Sequence, residues 1–491
     1  MRRTVIALAA ALMAITAAFA QTSPIKRLDD RLISPAEVNA TVTRLMKAAE
    51  VPGAAIAMFH HGQVAYMNAY GFRDLERRLP LTSRTVMSAA SFTKVAFAYL
   101  CMKLVDEGRL DLDRPVVQYL PKPLPDYPQY ADLAGDRRYE RITARMLLSH
   151  TSGLPNWRAF EDDRKLKIHF EPGSRYAYSG EGIDLLQLVV QSITATALEQ
   201  LMEQRVFQPL RMTRTSMVWQ PAFDDEFANG YDEYSRSLGP QKWKTADAAG
   251  SMLTALHDFS LFMEAVATGQ GLSRRTRQEM LRPQIRIFSK HQFPTLENRT
   301  TDENQTIHLG YGLGWGLFRT PYGDAFFKEG HDAGWRNYTV LFDRSGTGIV
   351  IMTNSANGEG TFKDLLEKLL ADPFTPIEWE GFTPYNEQPA RPPLPAHTRV
   401  TIDPSLLEKY AGRYEVPPNV ILTIRRAGDH LTVQENDEPI QELLPQSATE
   451  FFSTVADDVY RFEADASGHI SRMILLTDGK EIPMARLNEV H

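Results

Sequence analysis

The sequence predicts an α/β protein: one sheet built from distant parts of the chain, a helical subdomain inserted between them, and a small C-terminal antiparallel β domain. Three observations carry this reading. Strand-like runs occur near residue 55 and return beyond residue 325, with helical periodicity between them. A proline-rich stretch, QPARPPLPAHT at 388–398, then breaks the pattern as a semi-rigid connector. Beyond it, short strand-like runs alternate with turn residues such as Gly428 and Gly468.

The elements follow in order. Arg2 and Arg3 precede the apolar run VIALAAALMAITA, and Ala18-Phe19-Ala20 supplies a small-residue cleavage site before Gln21. Residues 1–20 therefore read as a secretory signal peptide, which predicts a periplasmic or secreted protein. Losing Arg2 and Arg3 takes the formal charge from −7 to −9. No basic stripe appears, so nucleic-acid binding has no support. No later segment is long and apolar enough to cross a bilayer, so no integral span is expected after cleavage. The only cysteine is Cys101. An exported chain with one thiol has no intrachain disulfide, and Cys101 reads as a small buried hydrophobe.

Helical spacing of Val38, Val42, Leu45, Met46 and Ala49 predicts a helix over 35–50. Ala54–Phe59 and Val64–Tyr70 flank a His-His-Gly-Gln turn and predict a hairpin. A helix over 91–107 shows the stripe Val95, Ala98, Met102 and Val105, and Gly108 stops it. Further helices reach about residue 205 and recur at 255–269. Strands return at 326–330, 338–343 and 348–353. The first domain thus occupies about 30–380, the connector 388–398, and the β domain 400–491.

Chemistry enters with SAASFTKVAF at 88–97. Ser91 and Lys94 stand three apart, so a helix puts them on one face. A serine hydroxyl needs a base to become nucleophilic. A lysine serves only where burial or neighbouring positive charge lowers its pKa. A second S-x-x-K, Ser23–Lys26, lies in the tail just past the cleavage site and reads as accidental. There is no H-E-x-x-H, no Cys/His cluster and no G-x-S-x-G, so neither a metal, a cofactor nor an α/β-hydrolase elbow is expected.

Further segments accompany Ser91: ITARMLLSHTSGL at 142–154, PGSRYAYSGEGID at 172–184, AAGSMLTALHDFSLF at 248–262, YGLGW at 311–315 and KEGHDAGWRN at 328–337. Together they resemble the serine β-lactamase and penicillin-binding superfamily, in its branch of class C β-lactamases, D,D-peptidases and family VIII carboxylesterases. The resemblance covers roughly residues 35–375, and the tail resembles the small β domain behind some of these hydrolases. It implies a β-lactamase-like antiparallel sheet flanked by helices with an inserted helical subdomain, with Ser91 as acylated nucleophile and Lys94 as its base. Tyr178 fits the tyrosine of the second motif, a proton relay to the leaving group, with Lys94 and His331 as neighbours. The asparagine of that motif is replaced by Gly180. His331-Asp332-Ala333 falls on the third motif, with the following loop about two residues short. His331 then faces the site, the N–H groups of Ser91 and Gly334 form the oxyanion hole, and Trp335 contacts substrate. His150 is scaffold by the same resemblance.

The expected function is an exported serine hydrolase acting through an acyl-enzyme on a small ester or a D-amino-acid amide or peptide. A β-lactamase, or a penicillin- or peptidoglycan-binding protein with slow turnover, stands as the alternative. The missing asparagine and third-motif lysine, which help grip β-lactams, shift the balance toward esters and D-peptides.

Overall fold

The computed structural model describes residues 23–391, 397–416, 420–436, 440–477 and 480–487. The segment expected to be a signal peptide, residues 1–20, and the centre of the proline-rich connector lie outside the described residues.

Helix α1 (Pro35–Ala48) opens the domain, its start fixed by a reciprocal capping box between Ser34 and Glu37. The hairpin follows as β1 (Gly53–His60) and β2 (Gln63–Asp74). The chain then leaves the sheet through α2 (Phe92–Asp106), α3 (Gly180–Thr194) and α4 (Leu256–Thr268). It returns as β3 (Gly316–Thr320), β4 (Gly323–Asp332), β5 (Trp335–Phe342) and β6 (Thr347–Thr353). In the nine-stranded antiparallel sheet these run β3-β4-β5-β6-β1-β2, extended by short edge strands. β6 pairs with β1 in register Thr353↔Ala54 to Gly348↔Phe59, which closes the sheet across about 300 residues of sequence.

Strand alternation sorts side chains between two cores. Ala54, Ile56 and Met58 of β1 pack with α1 through Val38, Val42 and Leu45. Ala55, Ala57 and Phe59 face the opposite core, which holds α2 and α4. β1 is therefore buried on both faces, as its unbroken apolar run requires.

Helix α2 corrects the expected stripe. It is buried on every side from Phe92 to Met102, and Val105 is only half-buried. A central helix surrounded by core shows no single apolar face. Cys101 is fully buried within it. The tail at Ser23–Lys26 is also more ordered than expected: Ile25–Lys26 pairs with Leu32–Ile33. Lys26 still points outward, to Asp30.

The C-terminal residues form a closed eight-stranded antiparallel barrel running from Gly412–Val416 to Lys480–Arg486, which pair with each other. Its interior is filled by Tyr414, Ile424, Leu431, Phe451, Phe462 and Met473. Closure removes free strand edges and gives this domain its own core.

Candidate active site

Ser91 sits at the cap position of α2, just after Ala90, whose φ of 47° is left-handed. That unusual conformation for a β-carbon residue turns the chain sharply into the helix. The Ser91 side chain makes no capping bond. Phe92, Thr93 and Lys94 N–H donate to the carbonyls of Ala89, Ala90 and Ser91, so the N–H this turn leaves over is that of Ser91.

Lys94 Nζ lies 3.1 Å from Ser91 Oγ and donates to Ala249 O at 2.5 Å. The residue is 1% exposed. Burial, then the nearby positive charge of Lys328, brings its pKa down to about 8. Asp247, Asp184 and Glu329 oppose that shift. The Lys94 ammonium stands over the Tyr178 ring at 5.0 Å and the Trp157 ring at 5.7 Å.

Tyr178 arrives from the loop before α3. Ser179 caps that helix by accepting from Gly182 N at 2.9 Å, and Asn156 O takes the N–H groups of Gly180 and Glu181. His150 underpins the loop: it is buried, accepts from Ser179 N through Nδ1 at 3.2 Å, and packs on the Tyr178 ring. It is scaffold rather than part of a catalytic triad. Tyr178 lines the same cavity as Ser91, and its Oη accepts from Lys328 Nζ at 3.2 Å. Burial, then the Glu329 carboxylate, pushes its phenol well above the usual range.

The residue sequence reasoning missed is Lys328. It is fully buried on β4, donates to Tyr178 Oη at 3.2 Å and pairs with Glu329. The signal was present in AFFKEG: a lysine in the middle of an apolar inner strand must be buried and must have a partner. The third-motif position itself carries His331 in place of a lysine, as the sequence shows. Lys328 lies three residues before the motif position and meets the tyrosine.

These groups open on a cavity of about 740 Å³ lined by Ala90, Ser91, Lys94 and Tyr178. Trp157, Phe160, Trp243, Phe293 and Phe382 give it an aromatic wall. His331 also lines it, but its Nδ1 is 3.4 Å from Glu359 Oε2, and Lys328 takes the place beside Tyr178. The surrounding protein, then the Arg336 guanidinium, holds the His331 pKa below its usual value, which leaves the ring neutral at pH 7, although its side chain is still 54% exposed.

Gly334 and Trp335 are not among the lining residues. Gly334 makes the β4–β5 turn with φ 77°, and a Cβ there would meet Gly230 and Tyr231 backbone within 2.9 Å. Trp335 is 1% exposed, under Gly230. The short loop draws both into the core, so the expected oxyanion contact and substrate contact do not form there. The strand residues beside Ser91 are instead His331 and Asp332, the latter accepting from Ser88 Oγ at 2.9 Å.

Gly180 has a physical reason of its own. A Cβ there would lie 2.4 Å from the Trp157 ring, so the indole occupies the space an asparagine side chain would need. Restoring the motif with Gly180→Asn is expected to cost about 1–3 kcal/mol. A chemical denaturation midpoint equal to wild type would show that the indole moves aside freely.

A family model described as Beta-lactamase matches residues 38–372, and one described as Domain of unknown function (DUF3471) matches 396–486. Protein flp of Staphylococcus aureus is 27% identical over 198 residues, 37% of this chain and 38% of that protein. The chain thus spans well under half the length of that relative. Penicillin-binding protein 4* of Bacillus subtilis is 21% identical over 461 residues, 86% of this chain and 92% of that protein. Among solved structures, the octameric penicillin-binding protein homologue from Pyrococcus abyssi superposes with a TM-score of 0.56 at 19% identity, over 92% of this chain and all of that one. D-alanine carboxypeptidase AmpC from Burkholderia cenocepacia gives 0.52 at 21% identity, over 65% of this chain and 93% of that one.

Proposed function

Because this chain belongs to the beta-lactamase family, we propose that it is an exported serine hydrolase that forms an acyl-enzyme on Ser91 and acts on small esters or D-amino-acid amides. The observation that carries the reading is the 3.1 Å contact between Ser91 Oγ and the buried Lys94 Nζ at the base of the cavity.

The electrostatics divide the labour. Lys94, brought down to about 8, is neutral in roughly a tenth of molecules at pH 7 and can accept the Ser91 proton. Tyr178, pushed the other way, stays protonated and serves as an acid. Ser91 Oγ then bonds to the substrate carbonyl carbon, and the oxyanion is held by the Ser91 N–H with a second donor from the His331–Asp332 strand end. Tyr178 gives its proton to the departing alkoxide or amine, with Lys328 poised to stabilise the phenolate left behind. Water then attacks the acyl carbonyl with the Tyr178 phenolate taking its proton, and the Lys94 ammonium returns a proton to Ser91 Oγ as the acyl C–O bond breaks, which releases the acid and resets all three residues.

Intact-mass detection of a fluorophosphonate adduct, mapped to Ser91 and paired with ester turnover, tests this. Labelling without turnover of any ester, D-dipeptide or penicillin would favour a slow binder, as the names of the penicillin-binding relatives suggest. The barrel closes its own core, so a chain ending near Ala390 is expected to fold and to hydrolyse small esters within about tenfold of the full chain, ~1.4 kcal/mol of barrier. A truncated protein that keeps its circular dichroism but loses all ester activity would show that the barrel completes the site.

A further inference from the structure

The charges around the cavity are one-sided. Asp247, Glu329, Asp332, Glu359 and Glu380 line it, against Lys94 and a neutral His331. Lys328 is fully buried and committed to Glu329 and Tyr178. The guanidinium near this wall, Arg336, is held by Glu359: Nε donates to Oε2 at 2.7 Å, and the side chain is only 12% exposed. A substrate carboxylate entering here would meet these carboxylates, and the one cation among the lining residues, Lys94, is engaged with Ser91 Oγ and Ala249 O at the nucleophile.

Two further features favour a positive group. Glu380 is 2% exposed; its Oε2 accepts from Tyr338 Oη at 2.7 Å, while Oε1 has no hydrogen-bond partner. An unmet buried acceptor facing a substrate cavity is answered by an N–H donor. Burial and the Glu329 carboxylate hold the Glu380 carboxyl well above its usual range, and an arriving cation would favour its ionised form. The aromatic wall of Trp157, Trp243, Phe293 and Phe382 offers ring faces to an apolar chain or an ammonium.

We propose that the cavity selects esters and amides that carry an ammonium group, accepts uncharged ones less well and rejects carboxylates, and that Glu359 sets this preference by masking Arg336. The proposal rests on the hydrolase reading above and narrows it, turning it away from substrates with a carboxylate near the scissile bond.

The test uses the full chain and three p-nitrophenyl esters with equal five-methylene acyl chains: 6-aminohexanoate, heptanoate and the pimelate monoester. The expected order of kcat/KM is ammonium, then methyl, then carboxylate, with tenfold or more between the extremes. Glu359→Gln removes the negative charge paired with Arg336, whose guanidinium stays anchored on Asp332 O and Trp335 O, and is expected to shrink the ammonium-to-carboxylate ratio by about tenfold, with fluorophosphonate labelling of Ser91 confirming an assembled site. A pimelate ester turned over as well as the aminohexanoate ester overturns the proposal while leaving the hydrolase reading intact. A ratio unmoved in a labelled Glu359→Gln protein removes Glu359 from its role. If no ester turns over and Ser91 does not label, the hydrolase reading falls. Calorimetry with hexylammonium and hexanoate then decides the charge preference alone, and equal affinity for the two overturns it.

Discussion

Ser91→Ala is expected to lower ester turnover by on the order of 10⁵-fold and to abolish the covalent adduct. The change removes the oxygen that becomes bonded to substrate, and Ser91 is the only serine or threonine among the residues lining the cavity. Stability should stay within about 0.5 kcal/mol of wild type, because the Ser91 side chain makes no capping bond to its helix. Kinetics, intact mass and thermal unfolding read the three parts separately. An alanine variant that hydrolyses p-nitrophenyl esters at the wild-type rate would place the nucleophile elsewhere.

The second large effect concerns Lys94. Arginine does not deprotonate and is bulkier than the enclosed site allows, so Lys94→Arg is expected to lose roughly 10³-fold or more in kcat. The wild-type enzyme should gain activity as pH rises through about 8, where Lys94 becomes neutral. Stability carries the same signature. Between about 8 and the ordinary lysine value of 10.5, the unfolded chain binds the proton that the folded one has released. The Lys94 contribution to stability therefore rises with pH across that window, and its burial cost is fully present below it. An active Lys94→Arg enzyme, or an activity profile flat from pH 6 to 9, would remove lysine from the base role.

Helices α1 and α4 were legible because each carries a period of 3.6 that its burial then obeys, and the hairpin and returning strands because they are short apolar runs bounded by turn residues. The Ser91–Lys94 contact was legible because helix geometry fixes i,i+3 proximity whatever the surroundings. The tyrosine loop was reachable only by resemblance; its sequence alone reads as a glycine-rich turn.

By itself, then, the sequence determined the sheet-and-helix class, a small β domain after the connector, and the serine–lysine pair, since all three show in neighbours close in the chain, whereas closure of that domain into a barrel came from the structure. Tertiary structure alone decided the rest. Lys328 reaches Tyr178 across 150 residues, His331 turns to Glu359, the short β4–β5 turn pulls Gly334 and Trp335 into the core, and Trp157 fills the space over Gly180. Each depends on how close two distant segments pack, and a shift of one residue in a loop changes which side chain is buried. Local periodicity carries no record of that distance.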